Sequence, residues 1–276
     1  MRRKYKYYSQ NGEDCLLWNF FDHKKDGTFV DVGAFDGVYL SNTYSFEEQG
    51  WGGVCIEAIP QYSELCKRNR PGSLVFNYAC IGDDRKRVDL LFEESGLFSG
   101  IAADESEVAE FYKIAGMSFN GMRKMNVPAS TLNVILQDAV DRIDFISMDV
   151  EGSEVEILSG FDIDKYKPRI IIIEANTHEA KNRIDSFLQP HGYYASRSML
   201  QNYFYVCNER DDEKIRNLWV DARIERPAHP LGREYNVLGD MGDGWASWPP
   251  ETGNLTPHLL FKIHKHWHRR VYWGIR

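Results

Sequence analysis

The 276-residue chain contains no apolar run near the about 18 residues that a membrane span needs; its longest clean one is Ile170 to Ile173. No transmembrane segment is therefore expected. Cysteine is scarce and unpatterned. Cys15, Cys55, Cys66, Cys80 and Cys207 are odd in number, widely spaced and without a CxxC pair, which argues against a disulfide framework or a structural zinc site. Reduced thiols and a cytoplasmic setting are the simpler expectation. Basic residues are outnumbered, 33 against 41 acids, for a net charge of −8, so a general nucleic-acid surface is not expected. The basic start MRRKYKYYSQNGED lacks a following apolar segment, so no secretory signal is expected. G-x-G-x-x-G is also missing, which argues against a dinucleotide pyrophosphate site.

What is present is alternation. Apolar, β-branched runs at Gly27–Ala34, Gly53–Ala58, Leu74–Ile81, Asp144–Val150 and Arg169–Ala175 read as strands. Helix-like segments lie between them: Asn42–Gln49, Gln61–Asn69 introduced by Pro60, SEVEILSGF, and THEAKNRIDSFLQ after the last run. Apolar strands separated by helices predict an open α/β sheet, mostly parallel and covered on both faces. Tyr193–Arg197 and Asn202–Cys207 have no helix between them and read as a closing antiparallel hairpin at the sheet edge.

Two regions stand outside the repeat. Residues 95–130 form a long crossover with a helix over Glu105–Ile114, the length of a lid or substrate-binding element. Its Phe98, Phe111, Tyr112 and Phe119 would either stack on a sugar ring or pack the lid helix on the sheet. The chain thus divides into a domain over 1–208 and a C-terminal extension over 209–276, with Pro227–Pro257 expected to be irregular. The last part, His258–Arg276, has five Lys/Arg, four His and no acid, leaving 28 bases against 41 acids, or −13, on the rest. That tail suits docking on the acidic body, a homo-oligomer contact, or a weak membrane-surface contact.

The turn after the first strand reads Asp31-Val32-Gly33-Ala34-Phe35-Asp36-Gly37, with Glu57 at the end of the second strand, 20 residues past Gly37. Ligands of open α/β sheets bind at the carboxyl ends of the strands. A carboxylate at Glu57 can accept both hydroxyls of a ribose. The carboxylates of Asp31 and Asp36 would repel a pyrophosphate by about 4 kcal/mol at contact distance, yet attract an ammonium and a sulfonium. The pattern therefore fits S-adenosylmethionine better than NAD. The bland reading is that the glycines make a tight turn and the acids cap a helix.

The chain resembles the FkbM-family S-adenosylmethionine-dependent O-methyltransferases. The resemblance runs over roughly residues 8–207, through YSQNGED (8–14), FVDVGAFDGVYLSNT (29–43), GWGGVCIEA (50–58), SGI (99–101), VPASTL (127–132), DFISMDVEGSEVEIL (144–158) and IIIIEAN (170–176). It implies a class I methyltransferase (Rossmann-like) fold. That fold has seven strands in the order 3-2-1-4-5-7-6, strand 7 antiparallel, with the hairpin at 193–207 as strands 6 and 7. By position, Asp31, Gly33, Gly37 and Asp36 would surround the donor's methionine part. Ser41 and Asn42 would hold its carboxylate, Glu57 the ribose, and Ile81 to Asp83 the adenine, with Asp83 as hydrogen-bonding partner. The family's acceptors are hydroxyls of sugars and small molecules, so a sugar of a glycan or glycoconjugate is the leading acceptor. No N/D-P-P-Y motif marks an exocyclic amine, and the acidic balance disfavours RNA.

Transfer to an alcohol needs a base or a metal that acidifies the hydroxyl. Asp149 and Glu151 end the fourth strand, and Glu174 and His178 end or follow the fifth. His178 would be the neutral-pH base. Alternatively Asp149, Glu174 and His178 would bind Mg²⁺. Glu151 and Glu154 also open a helix, where acids serve as caps, and His178 begins another.

Overall fold

In a computed structural model, the described residues are 5–101, 103–115, 118–218, 220, 225 and 227. The elements of the first half are α1 (Glu13–Phe20), β1 (Thr28–Val32), α2 (Tyr44–Glu47), β2 (Gly52–Ile56), α3 (Pro60–Asn69), β3 (Ser73–Phe76), β4 (Ala79–Cys80), β5 (Arg87–Phe92), β6 (Ser99–Gly100), α4 (Glu105–Ala115) and β7 (Arg123–Ser130). There follow α5 (Leu132–Leu136), β8 (Phe145–Met148), α6 (Glu154–Ser159), α7 (Ile163–Tyr166), β9 (Ile170–Glu174), α8 (His178–Leu188), β10 (Tyr194–Met199), β11 (Asn202–Val206) and α9 (Glu209–Asn217).

The large sheet has seven strands in the order β10-β11-β9-β8-β1-β2-β3. β11 runs antiparallel to both neighbours, and the other inner pairs are parallel. This is the expected order 3-2-1-4-5-7-6, with the antiparallel hairpin closing one edge. Alternate side chains of a strand point to opposite faces, so each strand feeds two cores. In β1, Val30 and Val32 join one core with α5, α6, α7 and α8, while Phe29 joins the other with α1, α2 and α9. Asp31 points with Phe29, which places a carboxylate over the second core and explains what surrounds it below.

Local chemistry starts the helices where it should. Pro60 occupies the first turn of α3, and Thr131, Thr177 and Asn208 accept backbone N–H bonds at the starts of α5, α8 and α9. YSQNGED folds into a buried acceptor cluster before α1. Asp14 accepts from the Tyr8 N–H and the Ser9 hydroxyl, and Glu13 accepts from Asn11 and from Asn202 of β11.

Two expectations need correction. Leu74–Ile81 is not one strand. It breaks after Phe76, where the Asn77 side-chain amide donates to the carbonyls of Glu57 and Ala58, and β4 leaves for a second sheet. The crossover at 95–130 holds its helix, but also β6 and β7. With β4 and β5 these make a four-stranded sheet in the order β4-β7-β5-β6. β5 (RVDLLF) alternates exposed and buried residues at its start, as an antiparallel strand with one solvated face does. The small sheet buries Val88, Leu90, Val127 and Ala129 against Ile59 and Tyr62 at the start of α3.

The start of the anticipated extension, α9, packs on the body. Ile215 is fully buried, Asp211 pairs with Arg169, and Lys214 with Asp22. The rest of that extension beyond position 227, including the basic tail, lies outside the described residues. Among the described residues no helix is long and apolar enough to cross a membrane.

Candidate active site

A cavity opens at the carboxyl ends of β1, β2 and β8, roofed by the small sheet. Asp31, Glu57, Asp149 and Glu151 line it, and among the described residues no lysine, arginine or histidine does. It is therefore a site for a ligand that is neutral or carries positive charge.

Its floor is the turn after β1. Gly33 has φ +85°, and a Cβ there would lie 1.9 Å from the Asp149 carbonyl oxygen, so only glycine lets the two strand ends meet. The N–H groups of Gly33 and Ala34 both donate to the Ile56 carbonyl, tying the turn to the end of β2. The next N–H, that of Phe35, donates to Glu57 Oε2 at 2.9 Å, and the Ile59 N–H donates to Oε1 at 2.7 Å. Glu57 is thus held at both oxygens while its residue faces the cavity. Burial pushes its carboxyl up to about 7 despite those two donors.

Ser41 and Asn42 line the cavity as well. The Ser41 hydroxyl accepts from the N–H groups of Thr43 and Tyr44, and Asn42 Nδ2 donates to the Ser147 hydroxyl at 3.0 Å. Asp36 and Gly37 lie beneath the floor and do not line the cavity. Asp36 accepts from the N–H groups of Val38 and Tyr39, and Gly37 sits tightly against the side chains of Arg70 and Cys66.

The wall beside this floor is the end of β8. Carboxylate oxygens of Asp149, Glu151 and Glu174 lie within 4.8 Å of one another. Glu151 has φ +51°, a left-handed conformation that non-glycine residues adopt rarely and often at functional sites. Burial and then the charge of Asp149 raise Glu151 and Glu174 well above the usual carboxylate range. Gly100 of β6 lies directly above, its Cβ position 3.2 Å from the carbonyls of Val150 and Glu151. His178 is exposed at the start of α8 and is not a lining residue, so Glu151 takes the third place in the cluster that the sequence suggested for it. Glu154 turns back to accept from the Gly152 N–H and serves its own helix.

At the side next to Glu57 the lining residues are Tyr78, Ala79 and Cys80. Ile81 is buried in the core of the small sheet, and Asp83 is half-exposed and paired with Arg85. Neither lines the cavity, because the break at Asn77 shifts which residues face it.

The roof turn, residues 93–98, is organised by Glu93. This buried carboxylate accepts from the Ser95 N–H, the Ser95 hydroxyl, the Leu97 N–H and the Tyr112 hydroxyl. The aromatic residues of the roof contact one another, Phe98 with Phe111 at 4.9 Å and Tyr112 with Phe119 at 5.4 Å. They pack α4 onto the turn.

A family model described as the methyltransferase FkbM domain matches residues 31–194. No curated protein matches the chain. Among solved structures it is similar to an O-methyltransferase from Bacillus cereus in complex with SAH, at 11% identity and TM-score 0.40, covering 75% of this chain and 84% of that one. It is also similar to the precorrin-6y C5,15-methyltransferase from Geobacter metallireducens GS-15, at 14% identity and TM-score 0.38, covering 70% and 85%. A putative RNA methyltransferase from Pyrococcus horikoshii matches at 15% identity and TM-score 0.38, covering 71% and 83%. At such identities and scores the fold rests on the strand order, and the family on its own sequence match.

Proposed function

Because the chain belongs to the FkbM methyltransferase family and is an S-adenosylmethionine-dependent methyltransferase, we propose that its acceptor is a hydroxyl group, foremost that of a sugar in a glycan or glycoconjugate. The observation that supports this reading is that four carboxylates, Asp31, Glu57, Asp149 and Glu151, line one cavity with no basic side chain among its described lining residues. Asp31 lies in β1, Glu57 follows β2, and Asp149 and Glu151 follow β8, with Glu174 of β9 within 4.8 Å of the last two.

In this reading Glu57 accepts the ribose hydroxyls, with Ile56, Ala58 and Cys80 giving the base an apolar slot. Asp31 meets the donor's ammonium, Gly33 admits the methionine part close to the backbone, and Ser41 and Asn42 hold its carboxylate. Asp36 and Gly37 shape the turn from below. Ile81 and Asp83 give up the adenine role to Tyr78, Ala79 and Cys80.

The donor's methyl then points at the carboxylate cluster. The acceptor oxygen attacks the methyl carbon, the C–S bond breaks toward a neutral thioether, and the hydroxyl proton passes to the cluster. A carboxylate of the cluster within reach of the acceptor is a group of the kind that takes such a proton. His178, at the surface, stands outside it. Asp149, Glu151 and Glu174 are also the residues that would hold a divalent cation, an oxygen-only set of the kind Mg²⁺ prefers. The cation would acidify the acceptor hydroxyl.

The test is calorimetric titration with S-adenosylmethionine, S-adenosylhomocysteine and NAD, on the unmodified chain and on Glu57→Ala. Binding of the two adenosyl ligands alone, lost in the variant, supports the donor assignment. An acceptor screen over neutral sugars, phosphorylated sugars and RNA, with and without EDTA, then decides the rest. Methyl transfer only to a base nitrogen or carbon of RNA would refute the hydroxyl reading, methylation of an RNA 2′-hydroxyl alone would refute the glycan acceptor, and insensitivity to EDTA would refute the cation.

A further inference from the structure

The least expected side chain in the molecule is Arg70. It leaves the end of α3 and runs beneath the floor of the cavity, fully buried. Its guanidinium lies over the rings of Phe29 and Tyr44, at 5.0 and 5.6 Å. Nε donates to Glu47 at 2.7 Å, and Nη1 donates to the Gly37 carbonyl at 2.9 Å and to the Thr43 hydroxyl at 3.0 Å. Nη2, also buried, has no hydrogen-bond partner among the described residues. Taking a charge out of water is expensive, and an apolar side chain of similar size often serves stability as well or better. An incompletely paired buried guanidinium therefore asks for a role other than stability.

Its bonds supply one. All of them end on a single stretch, residues 37–47, whose other side lines the cavity through Tyr39, Leu40, Ser41 and Asn42. The bond to Thr43 also has a forced direction. Arginine can only donate, so Thr43 Oγ1 must accept there, and its one proton is left for another partner. Of the two other oxygens in reach, Asp31 Oδ2 at 2.5 Å and the Ser41 hydroxyl at 3.3 Å, the nearer and charged acceptor is Asp31. Arg70 thus fixes the rotor of the Thr43 hydroxyl, and the hydroxyl fixes the Asp31 carboxylate at the cavity wall.

We propose that Arg70 and Thr43 are positioning residues for the methyl donor: the guanidinium, acting through the threonine hydroxyl, holds the Asp31 carboxylate toward the donor's ammonium group. This rests on the donor reading given above. Burial raises Asp31, and the nearby guanidinium and the Thr43 hydroxyl oppose that rise, so the same two groups also favour its charged form.

The experiment compares two ligands on the full chain. S-adenosylhomocysteine carries the ammonium, and 5′-methylthioadenosine lacks the amino-acid part altogether. Thr43→Val removes the hydroxyl while leaving Arg70 its bonds to Glu47 and Gly37. It should weaken S-adenosylhomocysteine binding by about 10- to 100-fold, the range of one hydrogen bond to a charged group. Binding of 5′-methylthioadenosine should stay within about twofold, and Thr43→Ser should restore the homocysteine ligand to within about threefold. Arg70→Lys, which keeps the charge but loses the fork, should show the same selective loss. Unchanged S-adenosylhomocysteine affinity in Thr43→Val overturns the relay. Equal loss of both ligands also overturns it, because that reports a merely structural role. Failure of the unmodified chain to bind S-adenosylhomocysteine at all overturns the donor reading itself, and is distinct from both.

Discussion

Donor binding should be coupled to pH through Glu57. Burial holds this carboxyl at about 7 in the ligand-free protein, and ribose hydroxyls donate to its ionised form. With that value the group is roughly nine-tenths ionised at pH 8 and about 3% ionised at pH 5.5, so the affinity for S-adenosylhomocysteine should fall about 30-fold between them. That is about 2 kcal/mol. Calorimetry in buffers of different ionisation enthalpy should find about half a proton released on binding near pH 7. Glu57→Gln cannot titrate and should abolish both the slope and the release, leaving weaker binding at every pH. The ligand-free protein should show the mirror effect. The folded value lies above the ordinary 4.5, so protonated Glu57 contributes stability that is complete below about 4.5 and lost as pH rises through about 7, about 3 kcal/mol in all. Affinity that is flat from pH 5.5 to 8, or a slope that survives in Glu57→Gln, would refute the assignment.

Gly33→Ala should drive a methyl group into the Asp149 carbonyl at a positive φ; a loss of about 2 kcal/mol, or about 4–8 °C in a thermal melt, is expected together with loss of donor binding. Asp149→Asn should lower kcat by about 10²- to 10⁴-fold in a methyl-transfer assay on the acceptor that the screen identifies, while the Kd for S-adenosylhomocysteine changes less than about threefold. Glu13→Ala strands the donors of Asn11 and Asn202 and should cost about 2–4 kcal/mol, read as a lower denaturation midpoint at unchanged slope.

The frame of the protein was legible in its sequence because its inner strands are buried on both faces and read as apolar runs. FVDV, GVCI, FISM and IIIIE needed no partner to be recognised, and the missing helix between β10 and β11 marked the antiparallel edge. Asp31, Gly33 and Glu57 were legible for a similar reason, since strand ends carry the ligands in such sheets. The second sheet was not. β5 and β7 are more than 30 residues apart, and their pairing (Arg87 with Pro128 through Phe92 with Arg123) leaves no local mark. The different lining beside Glu57 followed from that omission, because a strand running unbroken to Ile81 would have carried Asp83 toward the cavity. Arg70 and Thr43 were invisible for a different reason. Their contacts lie beneath the floor, whereas NRPG reads only as a helix end and SNT singles out Ser41 and Asn42 but not Thr43. Glu151 reads in the sequence as either a helix cap or a site residue, and its left-handed backbone and its two carboxylate neighbours come only from the structure.

The small sheet leaves and rejoins the frame at adjoining points. Ala79 and Cys80 lie beside Ala129 and Ser130 in parallel register, so the intervening 81–128 begins and ends at one place. An excursion whose ends already touch adds little strain to its host when it is lengthened, shortened or replaced. The roof over the cavity is therefore a cassette. Exchanging it at these two seams would replace the upper lining of the cavity while leaving the turn after β1 in place.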